Sequence, residues 1–211
     1  MLARGHKITS VAVATGCLEH YHYVGLQNVM SGIVLMSGVV VGALLPDIDT
    51  KTSTISQFVK VPIYKMFKHR NQTHGLFAFV IFSGLLYFLL NYLFSFSSTD
   101  NQYITISFNL WLGLTIGYLL HLVEDSFSTA GIRWFAPVSQ YDEWAYKNHG
   151  TYLRKVHHFK EVKVNGVKKN VPIRHWWGRG YVVGGQFEQF ITVIMFILAV
   201  WFIVKFLINL I

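Results

Sequence analysis

The stretch LFAFVIFSGLLYFLLNYLFSF, Leu76–Phe96, is almost wholly apolar and carries no charge. An apolar run needs about 20 residues to cross the hydrocarbon core of a bilayer, so this one predicts a transmembrane helix. What flanks it matters as much. His69-Arg70-Asn71-Gln72-Thr73-His74 stands at its entrance, and the next apolar stretch, Tyr103–Val123, runs into His121-Leu-Val-Glu124-Asp125. Charged and imidazole side chains are costly at membrane depth. His and Asp are also side chains that bind divalent metals.

Outward from that segment the same pattern recurs. The chain has 211 residues, 53% hydrophobic and only 13% charged, against about 25% charged in a soluble domain. There is no Lys or Arg between Lys7 and Lys51, none between Arg70 and Arg133, and only Lys205 after Arg179. Phe190–Ile211 and the shorter Val29–Leu45 are further spans, and Gly32, Ser37, Gly38 and Gly42 in the latter suit close helix packing. Ile8–Leu26 contains Glu19, His20 and His22 and either spans or lies partly in the interface. The expected fold is an all-α integral membrane protein with about five transmembrane helices. It divides into a metal-site helical domain (1–131), an interfacial basic and aromatic loop subdomain (132–185) and a C-terminal transmembrane helix (186–211).

The net charge of +8 does not call for nucleic acid, because the basic residues cluster between spans. Five lie in 47–73 and ten in 128–185, with none in 97–102. Basic loops stay in the cytoplasm, which puts the N-terminus and both basic loops inside. Cys17 is the sole cysteine, so no intrachain disulfide can form. In the long loop, Asn165-Gly166 between Glu161–Val164 and Val167–Val171 predicts a β-hairpin, and the abundant aromatic and basic residues suit a position against lipid headgroups.

This topology gathers polar residues from distant parts of the chain. His6, Asp47, Asp49, His69, His74, His121 and Asp125 all fall at the inner face. His121 and Asp125 are four apart on a helix and share one face, either as co-ligands of an ion or as a hydrogen-bonded pair. Pro46-Asp47-Ile48-Asp49 reads as turn chemistry or as two carboxylates aimed at a cation. His6 alone would not mark a site. Glu124 points elsewhere on its helix, towards the interface or a helix partner. No Gly-x-Ser-x-Gly elbow and no standard phosphate loop is present.

Taken in order, these pieces resemble the YdjM-like family of bacterial membrane-bound metal-dependent hydrolases. They are Gly5-His6-Lys7-Ile8-Thr9, Leu44-Leu45-Pro46-Asp47-Ile48-Asp49, His69-Arg70-x-x-Thr73-His74, Gly117-Tyr118-x-x-His121-x-x-x-Asp125, and Ser128-Thr129-Ala130-Gly131 with Pro137. The resemblance covers roughly residues 1–140; Gly75 departs from a Ser expected after the second His. It implies a hydrolase in the bacterial cytoplasmic membrane, with the seven His and Asp residues as metal ligands. Seven ligands suit one or two divalent ions, Zn²⁺ or Mn²⁺ rather than Mg²⁺. A site at headgroup depth favours a phospholipid or lipid-linked phosphoester over an ester or amide, with Arg70 as a transition-state clamp and Arg133 or Arg174 holding a headgroup. The other readings are a non-catalytic, metal-stabilised assembly protein and an ion transporter.

Overall fold

A computed structural model describes residues 3–20, 29–59, 73–95, 101–127, 132, 134–135, 155–164, 167–175 and 185–208. The helices are α1 (Ala3–His20), α2 (Val29–Gly42), a short α3 (Thr54–Val59), α4 (Leu76–Ser95), α5 (Asn101–Ser126) and α6 (Gln186–Ile208), with a 3₁₀ turn at Leu45–Asp49. Four segments are long and apolar enough to cross a membrane: Val29–Asp49, Leu76–Phe94, Thr105–Ser126 and Gln186–Lys205. About five spans are expected from sequence; α1 is not among these four, because Thr9, Ser10, Thr15, Glu19 and His20 dilute its apolar content.

The centre of the molecule is the α2–α5 pair, whose contact is the most extensive between helices. It depends on two glycine pairs spaced four apart, Gly38 and Gly42 on α2 and Gly113 and Gly117 on α5. A Cβ at Gly117 would run into the Val39 carbonyl oxygen and the Ala43 nitrogen, and one at Gly42 into the Leu114 backbone. The two backbones therefore touch directly, as small residues allow in lipid, where dispersion and close fit replace the hydrophobic effect between helices. Ala14, Leu35 and Val39 are buried beside this seam, with Val11, Met36, Leu112 and Ile116 packed around them.

The other long helices flank this pair. α1 packs on α2, α5 and α6. The Phe202 ring lies against Gly16, and Glu19 forms an ion pair with Lys205. The late residues of α1 thus meet the late residues of α6, so the two helices run in the same direction. On the opposite side α4 meets α5, where Trp111 Nε1 donates to the Ser83 carbonyl at 2.9 Å. The outer faces of α4 and α6 carry exposed Phe77, Leu85, Phe88, Phe190, Phe196 and Ile197, a composition that suits lipid contact.

α2 ends where Pro46 enters the 3₁₀ turn. Pro has no N–H to continue an α-helix but fits the start of a new helical turn. The Asp47 N–H donates to the Leu44 carbonyl and the Thr50 N–H to the Asp47 carbonyl, which fixes both aspartates at the end of the span. Outside the helices, β1 (Lys155–Val164) and β2 (Val167–His175) pair antiparallel, with Val164 opposite Val167 and an irregularity between Val156 and His158.

Candidate metal centre

The ends of α2 and α5 and the starts of α1 and α4 meet at one end of the helix assembly. Five of the seven sequence candidates come together there: His6 from α1, Asp47 from the 3₁₀ turn, His74 just before α4, and His121 and Asp125 from α5. They form two groups that share one ring, His6–His121–Asp125 and Asp47–His74–His121, with donor atoms within 4.8 Å of one another in each. Four of the five are almost wholly buried; Asp47 is the most exposed, with 19% of its side chain accessible.

The orientation of the rings is the informative part. A His ring with a proton on one nitrogen presents a lone pair on the other, and the partner of the first nitrogen decides which is which. His121 Nδ1 donates to the Ala43 carbonyl at 2.7 Å. His74 Nδ1 lies 3.0 Å from Thr73 Oγ1 and 3.3 Å from Asp49 Oδ2; Thr73 Oγ1 itself donates to Asp49, leaving its lone pair for the ring N–H. His6 Nδ1 lies 2.5 Å from Glu124 Oε2, and a carboxylate can only accept. All three rings are thus fastened through Nδ1, and all three Nε2 atoms face the cluster.

Those Nε2 atoms converge with two carboxylates. His121 Nε2 is 3.3 Å from His74 Nε2, 3.7 Å from Asp47 Oδ1 and 3.9 Å from Asp125 Oδ2. His6 Nε2 is 3.4 Å from Asp125 Oδ1, and His74 Nε2 is 3.5 Å from Asp47 Oδ1. Donors bound to one ion at roughly 2.0–2.2 Å sit about 3–3.6 Å apart, so the observed spacings are close to what a shared cation needs. Imidazole plus carboxylate suits Zn²⁺, Mn²⁺ or Fe²⁺. The residues fit a divalent metal ion.

One described sequence candidate sits elsewhere. Asp49 does not join either group; it stands behind His74, held by Thr73 and Thr50. The 3₁₀ turn separates it from Asp47, so the two carboxylates are not equivalent. His69 falls outside the described residues, as do Arg70 and Arg133, and of Arg174 only its backbone position in β2 is described. Sequence reasoning missed the groups that hold the rings: Glu124, the Ala43 carbonyl and Thr73. Tyr118 adds a strut, its hydroxyl donating to the Thr73 carbonyl at 2.5 Å while its ring stacks on Phe82.

The His74 ring lies outside the spans, and its proton affinity is informative. Burial disfavours its cation, but the hydrogen bonds to Asp47 and Asp49 and the charge of the nearby carboxylates outweigh burial and raise its pKa to about 9. Without a metal, a proton occupies the place a cation would take.

No curated protein and no solved structure matches the chain. Residues 1–209 match the family model described as YdjM inner membrane protein, and with nearly the whole chain covered, the protein belongs to that family.

Proposed function

We propose that the protein is a metal-dependent hydrolase of the inner membrane, acting at the cytoplasmic face on a phospholipid or lipid-linked phosphoester. The observation that supports this is the convergence of three Nε2 atoms and two carboxylates in a buried nest that is most open at Asp47. A purely structural ion needs no such opening. α1 is taken as a fifth span, since 18 residues of helix reach about 27 Å and its two ends are tied to opposite ends of the assembly. The basic loops support an inner-face site.

Zn²⁺ or Mn²⁺ is the expected ion, and when bound it would supply Lewis acidity and an activated water. The chain's own residues prepare the site for it. Ala43, Thr73 and Glu124 keep the three Nε2 lone pairs turned inward, Asp125 bridges towards all three rings, and Asp47 stands where substrate and solvent enter. Arg70, four residues before His74 in sequence, is assigned the role of stabilising developing phosphate charge, and Arg133 and Arg174 that of holding a headgroup.

The test uses purified protein in vesicles of anionic phospholipid with Zn²⁺ or Mn²⁺. Release of phosphate or headgroup is expected, and it should fall to background with chelator and in Asp47→Asn. Metal binding with no turnover on any lipid phosphoester would favour the metal-stabilised assembly reading instead.

Metal affinity should also depend on pH. An ion taking Nε2 of His74 must expel a proton held with a pKa of about 9. Apparent affinity should therefore rise roughly tenfold per pH unit from pH 6 upwards and flatten near that pKa, one proton being released per ion at this ring. Chelator competition at pH 6, 7 and 8 reads this directly, and a flat profile would remove His74 from the ligand set.

A further inference from the structure

We infer that Glu124 is a positioning residue for the metal centre, holding His6 in the tautomer that turns Nε2 towards Asp125 and His121. This inference rests on the reading of the cluster as a metal site. Both oxygens of Glu124 are engaged with α1: Oε2 with His6 Nδ1 at 2.5 Å and Oε1 with Ser10 Oγ at 3.1 Å. His6 and Ser10 are one helical turn apart, so they present themselves together to α5.

A buried carboxylate at this depth is costly, and its place against His6 Nδ1 gives it a role. His121 is oriented by a backbone carbonyl and His74 by Thr73 and Asp49 together. His6 comes from the helix with the least apolar content, and its ring lies parallel to His121 at 3.8 Å between centroids. Stacking alone leaves the choice of protonated nitrogen open, since a flipped ring would stack as well. The carboxylate on Nδ1 removes that choice and makes Nε2 a stronger donor. Asp125, the next residue on α5, lies 3.4 Å from Nε2 of the same ring, a spacing that suits two ligands of one ion rather than a hydrogen bond. Adjacent acids thus flank one imidazole, Glu124 accepting from Nδ1 outside the cluster and Asp125 beside Nε2 within it.

The experiment compares wild type, Glu124→Gln, Ser10→Ala, His6→Ala and the His6→Ala/Glu124→Gln double variant. Each is purified in nanodiscs and titrated with Zn²⁺ and Mn²⁺ against a chelator. Glu124→Gln should weaken binding about 10–100-fold and Ser10→Ala by a smaller factor. In the His6→Ala background Glu124→Gln should change affinity less than about twofold, because the two act through one ring. Nitrogen NMR of His-labelled wild type should show His6 protonated at Nδ1, with a tautomer mixture in Glu124→Gln.

Equal affinity of folded wild type and Glu124→Gln overturns the inference, as does an additive loss in the double variant, which would mark a general packing role. Should Glu124→Gln fail to fold, Ser10→Ala and the wild-type NMR spectrum decide: unchanged affinity with His6 protonated at Nε2 is the negative result. If wild type binds neither ion, the metal reading falls and takes this inference with it.

Discussion

His121→Ala is expected to abolish metal binding at micromolar ion concentrations and to destabilise the fold at the same time. His121 is the one residue common to both donor groups, so its loss leaves neither with three ligands. The affinity loss should exceed the ten- to hundredfold usual when only an outer partner is removed. The ring is also wholly buried and stacked on His6; deleting a side chain of that size leaves a cavity worth about 2–4 kcal/mol. Elemental analysis together with thermal unfolding, with and without added Zn²⁺ or Mn²⁺, separates the two effects. Wild type should carry metal and be stabilised by it, whereas the variant should carry none and show no response. Asp125→Ala, which breaks only one group directly, should retain a weakened response through Asp47, His74 and His121. A His121→Ala protein that still copurifies with one ion per chain would refute the shared-ring arrangement.

Gly117→Val should be strongly damaging although it replaces no ligand. Its side chain would have to occupy the space of the Val39 carbonyl and the Ala43 nitrogen, and backbone cannot yield as a side-chain tip can. Overpacking of this kind costs about 1–3 kcal/mol or more. Any relief must come from α2 and α5 moving apart, which draws the Ala43 carbonyl away from His121 Nδ1 and widens the gap between His121 and Asp47. Both unfolding temperature and metal affinity should therefore fall, although residue 117 supplies no candidate ligand atom. Gly84→Ala is the matched control. An added Cβ there meets nothing within 4 Å, so the change should be neutral or stabilise α4 by up to about 1 kcal/mol. Equal behaviour of Gly117→Val and Gly84→Ala would show that the seam is not as tight as its geometry implies.

The membrane helices were legible because length and apolarity are one-dimensional properties: Leu76–Phe96 needs no partner to be read. The meeting of His6, Asp47, His74, His121 and Asp125 is legible for a related reason, since each stands near an end of an apolar segment and an alternating topology is expected to bring those ends together. What could not be read was direction within a turn. Asp47 and Asp49 look alike in sequence, and only the 3₁₀ geometry sends one to the cluster and the other behind His74. Glu124 was read as facing the interface or a helix partner, and it does face α1, but nothing in a single sequence pairs it with His6 across more than a hundred residues. Gly113 and Gly117 have the same limitation, since their role appears only when set against Gly38 and Gly42.

The ends of α1 are fastened at two levels, to Glu124 and Asp125 of α5 at one end and to Lys205 of α6 at the other. During synthesis α1 precedes both partners, so the His6 ring lacks its Glu124 acceptor until residue 124 has been made, and Glu19 lacks its counter-charge until residue 205. The cluster can therefore close only late in synthesis, so a half-made chain lacks the complete cage to hold a cation. A helix made early is thus locked in place only when the helices it packs against are complete.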